Sequence, residues 1–314
     1  MMLLFSLFFL FLLLLYPDIC LQGAKNGLIL WFETVLPTLF PFMVVSLFMV
    51  KTKVSTIISK ACPSFLQRFL GVSREGIYPV LIGMLSGVPV GAKTTVTLYK
   101  KGALSASESE YLLCLCNNIS PMFLLSFIGD YCLNLGSSRY ILLIILYISA
   151  YLSAKILRPL WKRASGSPVS FSQKSTSRIQ DNDNISWIGA LNSAIMEALQ
   201  TLAFVGGYII LFSLLGNVLL SLSAGYVTGF VTALLEITTG SSYLHTSTLY
   251  SPAQKIILLS ALSSFGGLSG IAQTSSVVTE SGLSVIRYSI GKLLQALIAG
   301  MLCFLFFFVI RNHW

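Results

Sequence analysis

Three short stretches hold the residue types that could do chemistry. The first is GMLSGVPVGAKTT, Gly83 to Thr95. Gly87 to Thr94 is one residue away from the phosphate-cradling pattern G-x-x-x-x-G-K-[ST], with Ala92 where the glycine before the lysine should stand. A phosphate loop needs a preceding strand and an acid on another strand of an α/β domain, and nothing in the chain supplies them. A spacing of four puts Gly83, Gly87 and Gly91 on one side of a helix, where they let backbones approach. Packing does not account for Ser86, Pro89 and Lys93. Pro89 removes a backbone donor and breaks the helix. The freed half-helix ends offer N–H groups to an anion, and Lys93 adds charge. Ser86, Gly87, Pro89, Gly91 and Lys93 are therefore expected to form a broken-helix anion site.

The second stretch is CNNISPMF, Cys116 to Phe123. Asn117 and Asn118 are adjacent amides in an apolar run, followed by Ser120 and Pro121. They serve either as polar glue between helices or as the lining of a polar substrate site. The third is SSFGGLSGIAQTSS, Ser263 to Ser276, which adds Ser269 and Gln273 to the candidate substrate contacts. Its Gly267-Leu-Ser269-Gly270 spells the GxSG of rhomboid proteases. Those need a histidine on a later membrane helix, whereas His245 comes before the serine and His313 is the penultimate residue. No catalytic residue is expected. Three acids, Glu33, Glu197 and Glu236, sit in or at the edge of apolar runs. A charge at the bilayer centre costs about 2.5–3.5 kcal/mol. Each acid therefore lies near the interface or faces a cavity to carry a proton or bind a cation.

The elements that must position these residues are membrane helices. Of 314 residues 55% are hydrophobic and only 10% charged, against about 25% charged in a soluble domain. The mean hydropathy is +0.83. The net charge of +9 does not point to nucleic acid. The bases cluster in connections between apolar runs, as the positive-inside rule places them, without interleaved aromatics. Cys20, Cys62, Cys114, Cys116, Cys132 and Cys303 show no metal spacing and are expected to pack as small apolar residues. Neither metal nor cofactor is expected; whether the chain forms a homo-oligomer is left open.

Apolar runs fall at about 2–16, 27–50, 77–92, 111–129, 140–158, 199–223, 225–239, 256–278 and 285–310. The first lacks a basic n-region and a small-x-small cleavage site, so it reads as a retained membrane segment. Segments 51–74 and 155–186 are basic and read as cytoplasmic, as does the loop with Arg287 and the adjacent Lys292. On this count 77–101 is a re-entrant hairpin from the inside, and the short run near Glu236 is one from the outside. Segment 187–198 is expected along the membrane surface. The chain divides into an N-terminal segment and loop (1–26), a first repeat (27–158), a polar cytoplasmic linker (159–186) and a second repeat (187–314). WFETVLPTLFPF parallels AIMEALQTLAFV, which places Glu33 opposite Glu197, and ESEYLLCLCNNISP parallels AQKIILLSALSSFGG. The two halves enter from opposite sides, the inverted-topology arrangement of many secondary transporters.

In their order, LSGVPVGAK, LYKKGALSASESEYLL and CNNISPMF resemble the sporulation integral membrane proteins of the YlbJ type, which contain the nucleoside-recognition "Gate" domain. The resemblance runs from about Trp31 to Phe308. It implies an endospore-forming source, the mother-cell-derived outer forespore membrane, and transport of dipicolinic acid toward the forespore. It also implies a layout similar to concentrative nucleoside transporters, with two re-entrant hairpins and broken helices. The expected fold is thus an all-α polytopic membrane protein of two inverted halves. A nucleoside or nucleobase carrier and a non-transporting sporulation scaffold or signalling component are the alternatives.

Overall fold

The computed structural model describes residues 2–52, 54–164, 186–223 and 225–310. Every regular element among them is helical. Four helices are long and apolar enough to cross a membrane: Gly136–Pro159, Trp187–Leu222, Pro252–Ser281 and Val285–Phe307. The count rises to six if each of two bent helix pairs is one span. Leu14, Phe32, Val227, Ile286 and Leu297 are among many large apolar side chains that stand exposed, as lipid-facing residues do. The chain is a multi-pass membrane protein.

The first half begins with α1 (Met2–Leu15), which meets α2 (Pro17–Leu30) at a sharp bend where Pro17 starts the new helix. A π-helical stretch, Trp31–Val35, joins α2 to α3 (Leu36–Lys51). Two short helices, α4 (Val54–Ala61) and α5 (Ser64–Leu70), lead to a broken hairpin, α6 (Ile77–Ser86) and α7 (Val90–Lys100). Helix α8 (Ala106–Cys116) stops at Asn117 and resumes as a π-helical run, Phe123–Cys132. Helix α9 (Arg139–Ala164) closes the half. Most of the expected linker, residues 165–185, lies outside the described residues.

The second half has a shorter series, without counterparts of α4 and α5. A long helix, α10 (Trp187–Leu222), is followed by a broken hairpin, α11 (Tyr226–Leu235) and α12 (Ile237–Thr246). Then comes a broken helix, α13 (Pro252–Phe265) and α14 (Gly267–Val278), and a closing helix, α15 (Val285–Phe304), with a π-helical end at Leu305–Ile310.

Three expectations change. Residues 187–198 do not form a separate surface segment; they are the first turns of the 36-residue α10. The boundary expected at 26/27 falls inside α2, because Gly23 and Gly27 pack on α10. A Cβ on either would lie 2.8 Å from the Cα of Leu214 or Ile210, so the polar stretch before residue 27 stays helical in that contact. The run 256–278 lies within one span, Pro252–Ser281, as expected, but that span carries an unexpected one-residue interruption at Gly266. At the centre, α8 is buried over its whole last two turns, Ser109 to Cys116. A helix with no solvated face must be surrounded, and α6, α7, α9 and α15 enclose it.

Candidate functional site

Each half contains two helix breaks, and within each half the two breaks rest on one another. At the first, Gly87 takes φ +86° and ψ −171°, a region open in practice only to glycine; the Val88–Pro89 bond is cis. A Cβ on Gly87 would stand 2.5 Å from the Ser120 nitrogen, so this break lies directly on the break after α8. Gly83 and Gly91 meet the Cys116 carbonyl, 2.6 Å from a Cβ built on Gly91. The three glycines thus form a packing face for residues 116–120. After that gap the Phe123 N–H donates to Ser120 Oγ at 3.2 Å and restarts the helix. In the second half, Glu236 interrupts α11–α12 and its Oε2 accepts from the Thr239 N–H at 2.7 Å, capping α12. Gly266 and Gly267, at φ +82° and +75°, interrupt α13–α14. A Cβ on Gly267 would lie 3.3 Å from Ile237 N and Leu235 O, beside the Glu236 break.

All four breaks reach one cavity of about 200 Å³, through Val88, Ile119–Ser120, Glu236 and Gly266. One wall is apolar and aromatic, with Phe123 and Phe127 stacked at 5.0 Å between ring centroids. The polar wall carries Ser120, Thr238, Ser269, Gln273 and the Glu236 residue. Gln273 Nε2 donates to Ser269 Oγ at 3.0 Å, which leaves the amide oxygen and one N–H for other partners. No side chain caps α14. Its first backbone N–H groups, at Gly267 to Gly270, therefore form an electropositive end beside the cavity.

A second cavity, about 380 Å³, is lined by Lys93, Lys100, Lys101, Glu197, Gln200 and Glu280, among others. Helices α10 and α14 line both cavities, Ile209, Ser269 and Gln273 in the first and Glu197, Ser276 and Val277 in the second. Helix α7 starts just after the break at Val88 and carries Lys93 and Lys100 to the second. Glu197 sits between two lysines, Lys51 Nζ at 3.0 Å and Lys93 Nζ at 3.1 Å. The triad links α3, α10 and α7.

The expected site residues therefore separate. Ser120, Ser269, Gln273 and Glu236 line the central cavity. Gly87 and Pro89 flank Val88, which lines it, and Gly91 packs on the Cys116 carbonyl. Ser86 is buried beside the break, and among the described residues its hydroxyl has no hydrogen-bond partner. Lys93 is not brought to the cavity: it lies a turn into α7, paired with Glu197 in the second one. Asn117 is fully buried and spends its amide on the protein. Its Oδ1 accepts from the Ala92 N–H at 3.2 Å, and its Nδ2 donates to Thr274 Oγ1 at 2.9 Å and Tyr288 OH at 3.0 Å. Asn118 Nδ2 donates to the Leu115 carbonyl at 2.9 Å. Glu33 does not join Glu197. The π-helical stretch turns Trp31 toward α10, where its Nε1 donates to Leu202 O at 2.9 Å, and leaves Glu33 exposed.

Lys292 departs most from expectation. It is not in a cytoplasmic loop but two turns into α15, 1% exposed. Its Nζ donates to Asn118 Oδ1 at 3.1 Å and Gln295 Oε1 at 2.7 Å. The sequence signal for this was a lysine and a glutamine three apart in an apolar run, which places both on one helix face. Arg287, nearer the loop, pairs with Glu110 at 2.5 Å.

Helix breaks that converge on a mostly apolar, partly open cavity in an all-helical bundle define a polytopic membrane protein with a cavity at its helix breaks. Sporulation integral membrane protein YlbJ of Bacillus subtilis (strain 168) is 27% identical to the chain, over 99% of the chain and 84% of that protein. This similarity supports placing the chain in the YlbJ family. No family model matches the chain, and no solved structure matches it.

Proposed function

We propose that the chain is a carrier, not an enzyme, and that its solute sits where the four breaks meet. The carrying observation is that convergence: irregular backbone at membrane depth is tolerated only where it is buried in protein or lines a cavity, and here all four breaks do so at one place. The order of broken hairpin, broken helix and closing helix in the two halves fits an inverted repeat, with the hairpins α6–α7 and α11–α12 entering from opposite sides. Such a layout would be that of transporters with midplane sites, and of the Gate-type, nucleoside-transporter-like arrangement that the resemblance implies.

The solute class follows from the walls. Phe123 and Phe127 suit a flat ring, and the uncapped α14 terminus with Ser269 and Gln273 suits a carboxylate. The basic second cavity would gather anions before they reach the central one. A small aromatic dicarboxylate, dipicolinic acid by family resemblance, meets these terms, with the outer forespore membrane as its setting. Glu236 would repel a second negative charge, so we assign it the coupled proton: a protonated Glu236 accompanies the anion. Lys93 and Glu197 act in the entrance, not at the solute. The amide of Gln273 beside an aromatic wall also suits a nucleobase, which keeps the nucleoside reading as the alternative.

Uptake of labelled dipicolinate into vesicles holding the purified protein tests this reading. Saturable uptake, inhibited by excess dipicolinate and not by uridine, is the expected result. Inhibition by uridine alone moves the solute to nucleosides, and uptake of neither leaves the scaffold reading.

A further inference from the structure

Lys292 is a basic side chain buried within α15, and among the described residues no acid is a hydrogen-bond partner of its Nζ. Burying an ammonium is costly unless its charge is answered. Glu110, which is buried on α8, already pairs with Arg287. Among the described residues the partners of Lys292 Nζ are two neutral amide oxygens, Asn118 Oδ1 and Gln295 Oε1.

Those oxygens are aimed. Asn118 gives its Nδ2 to Leu115 O, which turns Oδ1 the other way. Gln295 gives its Nε2 to Asn118 Oδ1 at 2.8 Å and to Leu146 O at 3.3 Å, which leaves Oε1 for the lysine. Both amides therefore present oxygen to a single point. That point lies at the end of α8, whose last helical residue is Cys116. The C-terminal end of a helix carries the negative pole of its dipole. In transporters, the C-terminal ends of half-helices and the carbonyl oxygens of unwound segments coordinate monovalent cations, and the side-chain oxygens of Asn118 and Gln295 gather at such an end.

We propose that the Lys292 ammonium is a built-in cation. It fills, from the chain itself, the place at the α8 break that a free sodium or potassium ion would otherwise occupy. The carrier then takes up no alkali ion there, and the break is held in shape whether or not solute is bound. The proposal concerns the same broken-helix core as the transport reading. Its test needs no solute, so the two can fail separately.

The experiment is thermal melting of the purified full chain in chlorides of sodium, potassium and N-methylglucamine at equal ionic strength. The wild type should melt at the same temperature in all three. Lys292→Ala should melt lower in N-methylglucamine and recover by several degrees in sodium or potassium, as a ligand that binds only the folded state must cause. Lys292→Gln keeps most of the volume and removes the charge. It should also melt lower and respond to an alkali cation, and it decides the matter if the alanine variant yields no folded protein. A wild type stabilised selectively by sodium or potassium overturns the proposal. So does a Lys292→Gln that melts with the wild type, or variants that stay low in every salt.

Discussion

Replacing Gly87 by alanine tests whether the two breaks of the first half are one joint. Two costs add. The first is conformational: φ +86° with ψ −171° belongs to glycine, and another residue there loses about 1–3 kcal/mol. The second is steric. The new Cβ would stand 2.5 Å from Ser120 N and 2.8 Å from Ser120 Cα. Both are backbone atoms of the facing break and cannot swing aside as a side-chain tip can. Overpacking of this kind costs roughly 1–3 kcal/mol. Together they amount to about 2–6 kcal/mol, which lowers the melting temperature by roughly 5–15 °C in a chain of this size. The control is Gly207→Ala, on α10, where a Cβ would meet nothing within 4 Å and better helix propensity should be neutral or mildly stabilising. Melting of both proteins in detergent, followed by the loss of a monodisperse chromatographic peak, is the assay. If Gly87→Ala melts with Gly207→Ala, the crossing of the breaks at Ser120 is not what holds this region.

Asn117→Ala removes a side chain that ties α7, α14 and α15 together at one amide; leaving those donors and acceptors unmatched should cost roughly 2–3 kcal/mol, seen as a lower melting temperature with or without solute. Lys93→Met leaves Glu197 with Lys51 alone and weakens the entrance field. Its half-saturation for an anionic solute should rise several-fold at low salt, and the difference should shrink at high salt, because such fields are screened over about 10 Å at 0.1 M. Glu236→Gln should keep solute exchange across vesicles but lose accumulation driven by an acid-outside gradient. Retained gradient-driven accumulation would free Glu236 of the proton.

The first-half break was legible because glycine and proline write it in residue type. Gly87 and Pro89 cannot both sit inside an ordinary helix, and Pro121 marks the second gap in the same way. The Gly266–Gly267 break was hidden. Its neighbours are small and apolar, and a hydropathy window cannot tell a flexible turn from a tolerated glycine. Glu33 was matched to Glu197 by order along the chain, but order does not carry phase. The π-helical turns at 31–35 shift the register and send Glu33 outward. Lys292 was misplaced because it follows Arg287 by five residues, and a charge near a loop reads as part of it. Only the fold shows that Asn118, 174 residues earlier, supplies its oxygen. Asn117 was recognised as polar glue or site lining, and the choice between them depended on Thr274 and Tyr288, 157 and 171 residues away.

The central claim is that the cavity at the four breaks is the solute site of a carrier. Counterflow of labelled dipicolinate in vesicles tests it most directly, comparing the wild type with Ser126→Trp. Ser126 lines the cavity and takes no part in the breaks, so the indole should fill the space while the fold stays intact. The account predicts counterflow in the wild type and none in Ser126→Trp, with equal amounts of folded protein. Undiminished counterflow through a filled cavity would contradict it.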